Sequence, residues 1–562
     1  MRTRHPLQAL PLALAATLAL AAPAQAAQAQ VIGTNPIQAI TPLWTFSHNV
    51  APTIGRSSEI PVFDAGTQAL WVIGGNGIDV LNLGGERIQT FTASAFGNIN
   101  SIAISGNTLA LAFTNGTNAG LPGNVQFFDT ATFLSQGANA ALLGSVTVGA
   151  VPDMLAWTPD GSRLLVANEG ERQSEANNPV GSVSLINVTR TGNNLSTTVN
   201  TAGFTAFDTQ VDALRASGVR IVGSTLPSVA FEPEYIAIAP GGQFAHVTLQ
   251  ENNAIAELNL QTGQFTRILP LGSKDFNAPG NGIDPSDQDS AVGNFRNVPV
   301  KGLYMPDAIV SYSSGGQSFF VMANEGDAFG DDSDIVRLGS AAYVLDPTAF
   351  PNAAALKQNS NLGRLNVLRN GATGDLATGT PMTEIVAIGG RSFSIRDANG
   401  QLIFDSGNQL EVAALAAGVY ADGRSDDKGV EPEGVALFTL GGRTLAFIGL
   451  ERTTRSAVAI YDITDPADAS FLQMLVSNDT SVLRPEGLVA FESAGRFFLA
   501  VSHESTADVI IAGGLSNRTV LYEISPVPEP GTYALMALGL VGMLAWVRRR
   551  SAGHGLRRSP PE

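Results

Sequence analysis

The chain predicts an all-β fold, a seven-bladed β-propeller with long inter-blade insertions, on three observations. Five times a Pro-Asp or Pro-Glu pair opens an apolar stretch that runs to a Gly-rich turn, returns as a second apolar stretch and ends in a glutamate. The pairs are Pro152-Asp153, Pro233-Glu234, Pro306-Asp307, Pro432-Glu433 and Pro485-Glu486, and the closing acids are Glu169, Glu251, Glu325, Glu451 and Glu504. Proline to closing glutamate is 17, 18, 19, 19 and 19 residues, a register that marks a structural repeat. Two weaker units precede these five, which makes seven. Third, 60 glycines and a charged fraction of only 14% suit an ordered, β-rich chain able to bury a large core.

The first weak unit runs from Ile60-Pro61 through 69–73 to 78–83, and the second from Ile99-Asn100 through 109–113 to 125–128. In the main repeats both apolar stretches are strand length, as at 164–167 and 319–322. Their turns, Pro159-Asp160-Gly161, Pro240-Gly241-Gly242, Gly315-Gly316 and Gly441-Gly442, are hairpin punctuation. A third strand follows at 182–188, 254–260, 457–463 and 519–524, so each unit is a small antiparallel sheet. Radial repetition lets such sheets bury their faces on one another and leaves only short edges. A β-solenoid competes, but with shorter and more even repeats. Surplus chain is expected between repeats: 189–228 with a helix near 209–216, the Asp- and Gly-rich 274–301, and 336–429. The last has helices expected at 352–358 and 409–417 and strands at 384–388 and 392–395. Long insertions usually decorate one face of a propeller. No domain boundary is expected within 31–525.

Both ends read as addresses. Arg2 and Arg4, an apolar run over 7–22 and Ala24-Gln25-Ala26 form a secretory signal peptide, residues 1–26. Near the other end Pro528-Glu529-Pro530 precedes an apolar stretch at 532–547, followed by Arg548-Arg549-Arg550. As a transmembrane helix the stretch would span about 24 Å, and the arginines place its far end in the cytoplasm, which leaves the body outside the inner membrane. These residues, 526–550, resemble the PEP-CTERM sorting signal of Gram-negative bacteria. The resemblance implies an exosortase-type sorting enzyme as partner, an inner-membrane anchor before processing, and a final place at the cell surface or beyond. Residues 551–562 are then a basic cytoplasmic tail, longer than such signals usually carry.

A formal charge of −17 sets the body against nucleic acid and anionic membrane surfaces, and makes cations the natural partners. With no cysteine, stability must come from packing. In a hairpin the start of the first strand lies beside the end of the second. Asp153 should therefore meet Glu169, and likewise Glu234 with Glu251, Asp307 with Glu325, Glu433 with Glu451, and Glu486 with Glu504. With the first strands innermost, all ten carboxylates surround one channel mouth. Oxygen ligands in that number suit Ca²⁺, and no organic cofactor is expected. Alternatively each carboxylate caps backbone within its own blade.

Arg424, Lys428 and Arg452 interleave with the acids and could face a phosphate, or could be members of a salt-bridged loop. Two oxygen-rich loops are candidate metal sites: Asp284, Asp287 and Asp289, and then Asp327, Asp331 and Asp334. Neither fits the EF-hand pattern. Nucleophile elbow, P-loop, dinucleotide and H-E-x-x-H motifs are absent. His503, beside Glu504, is the one histidine that could face the channel, whereas His246 reads as packed or surface.

Glu232-Pro233-Glu234-Tyr235, Gln250-Glu251-Asn252-Asn253, Tyr304-Met305-Pro306-Asp307, Ala323-Asn324-Glu325-Gly326-Asp327, Arg391-Ser392-Phe393-Ser394 and Glu431-Pro432-Glu433-Gly434 together resemble the choice-of-anchor I proteins. The resemblance runs over most of the chain. It implies a propeller similar to the YVTN-type, lactonase-like propellers, and some relatives are labelled alkaline phosphatase. It supplies no settled catalytic residues, so these remain unknown. The chain departs from the family where His246 replaces a common aromatic. The expected function is an exported, surface-sorted module that binds a ligand, of unknown identity, or serves the extracellular matrix. The alternative is a Ca²⁺-dependent phosphoesterase, phytase-like, at the acidic mouth; a lactonase-like hydrolase is the weaker third.

Overall fold

The computed structural model describes residues 35–49, 53, 56–93, 97–172, 174, 177–329, 332–504, 517–528 and 543. They fall into two compact units, the body Thr41–Glu523 and a small unit from the chain through Ile40 and from Ile524 onward. In the small unit the Val527 N–H donates to the Pro36 carbonyl at 2.8 Å.

The body is all-β, built on four-stranded sheets that each open with an antiparallel hairpin. Among the described residues seven such sheets occur. Their first strands are Pro61–Asp64, Ile99–Ser105, Pro152–Trp157, Pro233–Ile238, Ile309–Ser314, Pro432–Leu440 and Pro485–Ser493. Each first strand packs against the first strand of the next sheet, and the seventh returns to the first. At that closure the Gly487 N–H donates to the Glu59 carbonyl at 3.1 Å and Phe63 stacks on Phe491 at 4.0 Å. The sheet of Pro485–Ser493 is completed by Arg496–His503, Arg518–Pro526 and Ile37–Ser47, so early and late chain share it. This cyclic order makes the body a β-propeller.

Core and topology follow from the sequence pattern. The second strands, such as Ala69–Gly74 and Thr108–Phe113, are apolar on both faces because each sheet is covered on both sides. Separate apolar clusters fill successive sheet-to-sheet spaces: Trp71, Leu111 and Phe133 in one, Leu165, Ile236 and Val247 in another, Phe393, Ile448 and Tyr461 in a third. Burying one such side chain contributes roughly 1.5–3 kcal/mol.

Three expectations need correcting. Each sheet has a fourth, outer strand that the pattern did not show. Asn194–Ala202, for instance, is polar and mostly exposed, as an edge strand can be, and reads like loop. The longest insertion is not between repeats. Residues 325–391 separate the second and third strands of one sheet, Gln317–Asn324 and Ser392–Asp397, so the strand expected at 392–395 belongs to the propeller. Third, the insertions at 274–301 and 336–387 do not decorate separately: they share a core including Phe276, Leu338, Tyr343, Leu362 and Met382. They also share a small sheet in which Lys301–Leu303 pairs in parallel with Val386–Ala387. The expected helices appear at Val211–Ser217 and Gln409–Ala416, and that at 352–358 shortens to Ala353–Leu356.

The signal peptide expected at 1–26, residues 529–542 and 544–562, and Asp331 lie outside the described residues, and with them Glu529, Pro530 and the three arginines of the sorting motif. Among the described residues no helix is long and apolar enough to cross a membrane.

Candidate functional site

Four Pro-acid pairs sit at register shifts between the first and second strands, at Pro152/Met154, Pro233/Ile236, Pro432/Val435 and Pro485/Leu488. Proline suits this place because it has no N–H to lose from the ladder, and the bulge re-aims the acid that follows. The residues just before four of the prolines, Val151, Met305, Glu431 and Arg484, have φ of 46°, 44°, 48° and 57°, unusual for non-glycine. Their carbonyls accept from the closing ends of the repeats: Glu169 N–H to Val151, Gly326 N–H to Met305, Glu451 N–H to Glu431, and Glu504 N–H to Arg484, at 2.9–3.1 Å. Closing glutamate and Pro-acid pair are thereby tied together. Neighbouring first strands also come very close here. A Cβ on Gly434 would lie 2.1 Å from the Glu486 carbonyl oxygen, and one on Gly487 2.4 Å from that of Glu59.

The ten carboxylates gather at this end. Asp153, Asp307, Glu433, Glu486 and Glu504 line a cavity of about 280 Å³ together with Glu59 and Tyr235. Carboxylate oxygens of Glu325, Glu433 and Glu451 lie within 4.8 Å of one another, as do those of Glu451, Glu486 and Glu504. Glu169, Glu234 and Glu251 form the remaining arc, where Glu234 is raised well above the carboxylate range by burial and then by Glu169, Glu251 and Asp153. Burial, reinforced by like charge, also lifts Asp153 to about 6 and Asp307 to about 7, and burial lifts Glu325 to about 8 against the opposing charge of Lys428. For Glu433 and Glu486 every neighbouring charge among the leading causes is another acid. One carboxylate oxygen of Glu251, whose residue is 6% exposed, and one of Glu433 are buried without a hydrogen-bond partner.

Three cations cluster beside Glu325 and Glu451, while Arg220 donates to the Glu251 carbonyl at 3.1 Å on the other arc. Lys428 pairs with Glu325, with Glu431 at 3.2 Å and with Asp327 at 3.6 Å. Arg424 holds Glu431 at 2.6 Å and Asp427 at 2.7 Å, and Arg452 holds Glu451 at 3.0 Å. Each of the three expected phosphate-facing cations is thus already engaged by carboxylates, chiefly the fully buried Glu431.

The two oxygen-rich loops do not converge on a common point. Asp284 accepts from the Asn294 N–H at 3.0 Å, Asp287 pairs with Arg364 at 2.8 Å, and Asp289 accepts from the Asn294 side chain at 2.7 Å. Asp334 pairs with buried Arg220 at 2.5 Å, and of the two described candidate acids of that loop Asp327 reaches the acidic ring, through Lys428. His503 is fully buried against Ser456 at 2.7 Å and the Arg518 carbonyl at 3.0 Å, so it does not face the mouth. Its pKa falls to about 4 because burial disfavours the imidazolium. His246 is buried against Phe320.

Sequence reasoning missed Glu59, Glu431 and Tyr235. Glu59 supplies an acid where the first unit has Pro61-Val62, and Asn100 stands where the second unit would carry one; both line the cavity. Only the alignment of the two weak units with the five strong ones could have pointed to them.

A Choice-of-anchor I domain model matches residues 59–466, and a PEP-CTERM protein-sorting motif matches 526–550. No curated protein matches the sequence. Among solved structures, the β-propeller domain of Cps50 (Swd1) from Myceliophteria thermophila aligns at 10% identity and TM-score 0.40, covering 84% of this chain and 98% of that one. A functionally unknown protein from Desulfotomaculum acetoxidans aligns at 10% identity and TM-score 0.34, covering 75% and 90%. Hydrazine synthase from Kuenenia stuttgartiensis aligns at 15% identity and TM-score 0.29, covering 48% and 68%. The sorting motif points to export in Gram-negative bacteria, exosortase-type processing and sorting to the cell surface. With its domain model spanning most of the chain, this protein belongs to the choice-of-anchor I family.

Proposed function

We propose that the chain is a seven-bladed propeller that works outside the cell as a ligand-binding module, with Ca²⁺ held at its acidic mouth. The observation that carries the reading is the pair of carboxylate triads sharing Glu451, each with oxygens within 4.8 Å. Two oxygens bound to one Ca²⁺ at 2.3–2.6 Å can be no farther apart than about 5 Å. Ca²⁺ would also satisfy the buried unpartnered oxygen of Glu433, and its charge would offset the repulsion at Glu433 and Glu486, whose leading charged neighbours are all acids. The route to the surface completes the proposal: residues 1–26 direct export, and the apolar stretch at 532–547 holds the chain in the inner membrane until an exosortase-type enzyme acts.

Thermal melting of the purified protein in Ca²⁺ and in excess chelator tests the cation. A ligand bound at 100 times its Kd raises stability by about 2.7 kcal/mol. The midpoint should rise with Ca²⁺; an identical midpoint in chelator would remove the reading.

A further inference from the structure

We propose a second binding site, for a neutral oligosaccharide, at the opposite ends of the strands from the acidic mouth. A cavity of about 640 Å³ lies between the third and fourth sheets, walled by the hairpin turns of Pro152–Trp157 with Arg163–Asn168 and of Pro233–Ile238 with Phe244–Leu249, and by the end of Ala254–Asn259. A smaller cavity of about 180 Å³ shares Arg163, Leu260 and Gln261 with it, so the two form one groove across the seam. That volume suits a ligand of a few sugar rings.

The groove is built rather than incidental. Arg163 reaches across the seam to the Leu260 carbonyl and donates through Nε to Asn187 at 2.9 Å. Leu260 N–H donates to the Gln243 carbonyl at 2.9 Å, and the Asn200 amide donates to the Gly263 carbonyl at 3.3 Å. These bonds fix both walls before a ligand arrives.

Chemistry selects the ligand. The lining carries one acid and one base, Asp160 and Arg163, and no net charge, in a protein of formal charge −17. Asp160 is spent on its own turn, accepting from Thr158 at 2.6 Å and from Ser162 at 2.8 and 3.1 Å. What remains is amide: Gln243 and Gln261 are exposed, and their side chains make no hydrogen bond among the described residues. Half-buried Phe244 supplies an aromatic wall, against which the C–H face of a sugar can pack. A side chain at Gly241 or Gly242 would stand in open space, so the bare turn leaves the entrance clear. Amides that both donate and accept, beside one apolar ring in a lining without net charge, recognise uncharged hydroxyl-rich molecules.

Isothermal titration of the purified full-length chain with cellotetraose, maltotetraose, N-acetylchitotetraose and tri-galacturonate tests the site. Saturable binding of a neutral tetrasaccharide is expected, with the same Kd in Ca²⁺ and in chelator, which separates this site from the acidic mouth. Gln243→Ala and Gln261→Ala, both at exposed positions, should each weaken it about 5-fold, the net worth of one neutral hydrogen bond. Absence of binding to all three neutral sugars, binding unchanged in both variants, or preference for the uronate would overturn the assignment.

Discussion

Glu59→Gln isolates the repulsion at the acidic mouth in one substitution. Glu59 accepts through a single oxygen, from Ser57 Oγ at 2.7 Å and from the Gly75 N–H at 3.3 Å, and glutamine keeps an oxygen in that place. What the substitution removes is charge. Burial first, then Glu504 and Asp153 as like charges, lift the Glu59 carboxyl from its ordinary 4.5 to about 7. A carboxyl whose pKa is higher in the folded state favours folding while protonated. Its contribution is intact below about pH 4.5 and lost as pH climbs toward 7, because the unfolded chain then releases its proton more readily. At 1.36 kcal/mol per pH unit, the ionised group costs about 3 kcal/mol above pH 7. In chelator at pH 8, Glu59→Gln should therefore raise stability by roughly 1–3 kcal/mol, a rise of a few degrees in melting midpoint, with almost no change at pH 4.5. Saturating Ca²⁺ should shrink the gain, since a cation bound at the mouth would offset the neighbouring charges. Melting curves at pH 4.5, 6 and 8, with and without chelator, measure this. A variant less stable by the same amount at every pH would show Glu59 to be simply a hydrogen-bond acceptor, and the repulsion argument would fail.

Glu451→Gln should weaken Ca²⁺ binding by at least about tenfold in direct titration, because Glu451 belongs to both triads; unchanged affinity would place any ion elsewhere. Lys428→Met should destabilise by about 3–5 kcal/mol at about pH 9, where Glu325 and Glu431 are left buried without their cation, and lowering the pH through about 8 should narrow the deficit as Glu325 takes up a proton. Gly434→Ala should give insoluble or poorly folded protein, as the new methyl would strike the Glu486 backbone; soluble protein with a wild-type melt would contradict the close approach of those strands. His48→Ala should cost about 2–4 kcal/mol by chemical denaturation, because His48 is fully buried and bridges Asp79 and Thr519 at 2.9 Å on each side.

Much of this was legible in the sequence because the repeat binds backbone and chemistry together. Proline fixes where a first strand begins, the glutamate marks where the second ends, and hairpin geometry brings them together, so the sequence alone pairs Asp153 with Glu169. The two clusters that sequence spacing suggested as calcium loops show the limit. Asp287 and Asp334 are close in sequence to other acids, yet Arg364 and Arg220 come from distant segments to claim them. Spacing along a chain reports local oxygen density and says nothing about which cation folding delivers. Similarly Glu431 reads as one acid in a mixed run, and only the tertiary arrangement makes it the anchor of Lys428 and Arg424. The fourth strands stayed hidden because an outer strand answers to solvent on one side and needs little apolar signal.

The sheet shared by Ile37–Ser47 and Arg518–Pro526 also sets a schedule for assembly. Its first-made strand must wait for the last-made one, which is separated from it by nearly the whole body. A chain delivered across a membrane from its beginning would hold six sheets and an unpaired edge until the final strand arrived. Such long-range pairing is slow to find, and the waiting edge is open to other chains. The sorting motif begins where that last strand ends, so retention of the tail at the membrane would keep the late strand near its exit point and the incomplete ring apart from its neighbours until it closes.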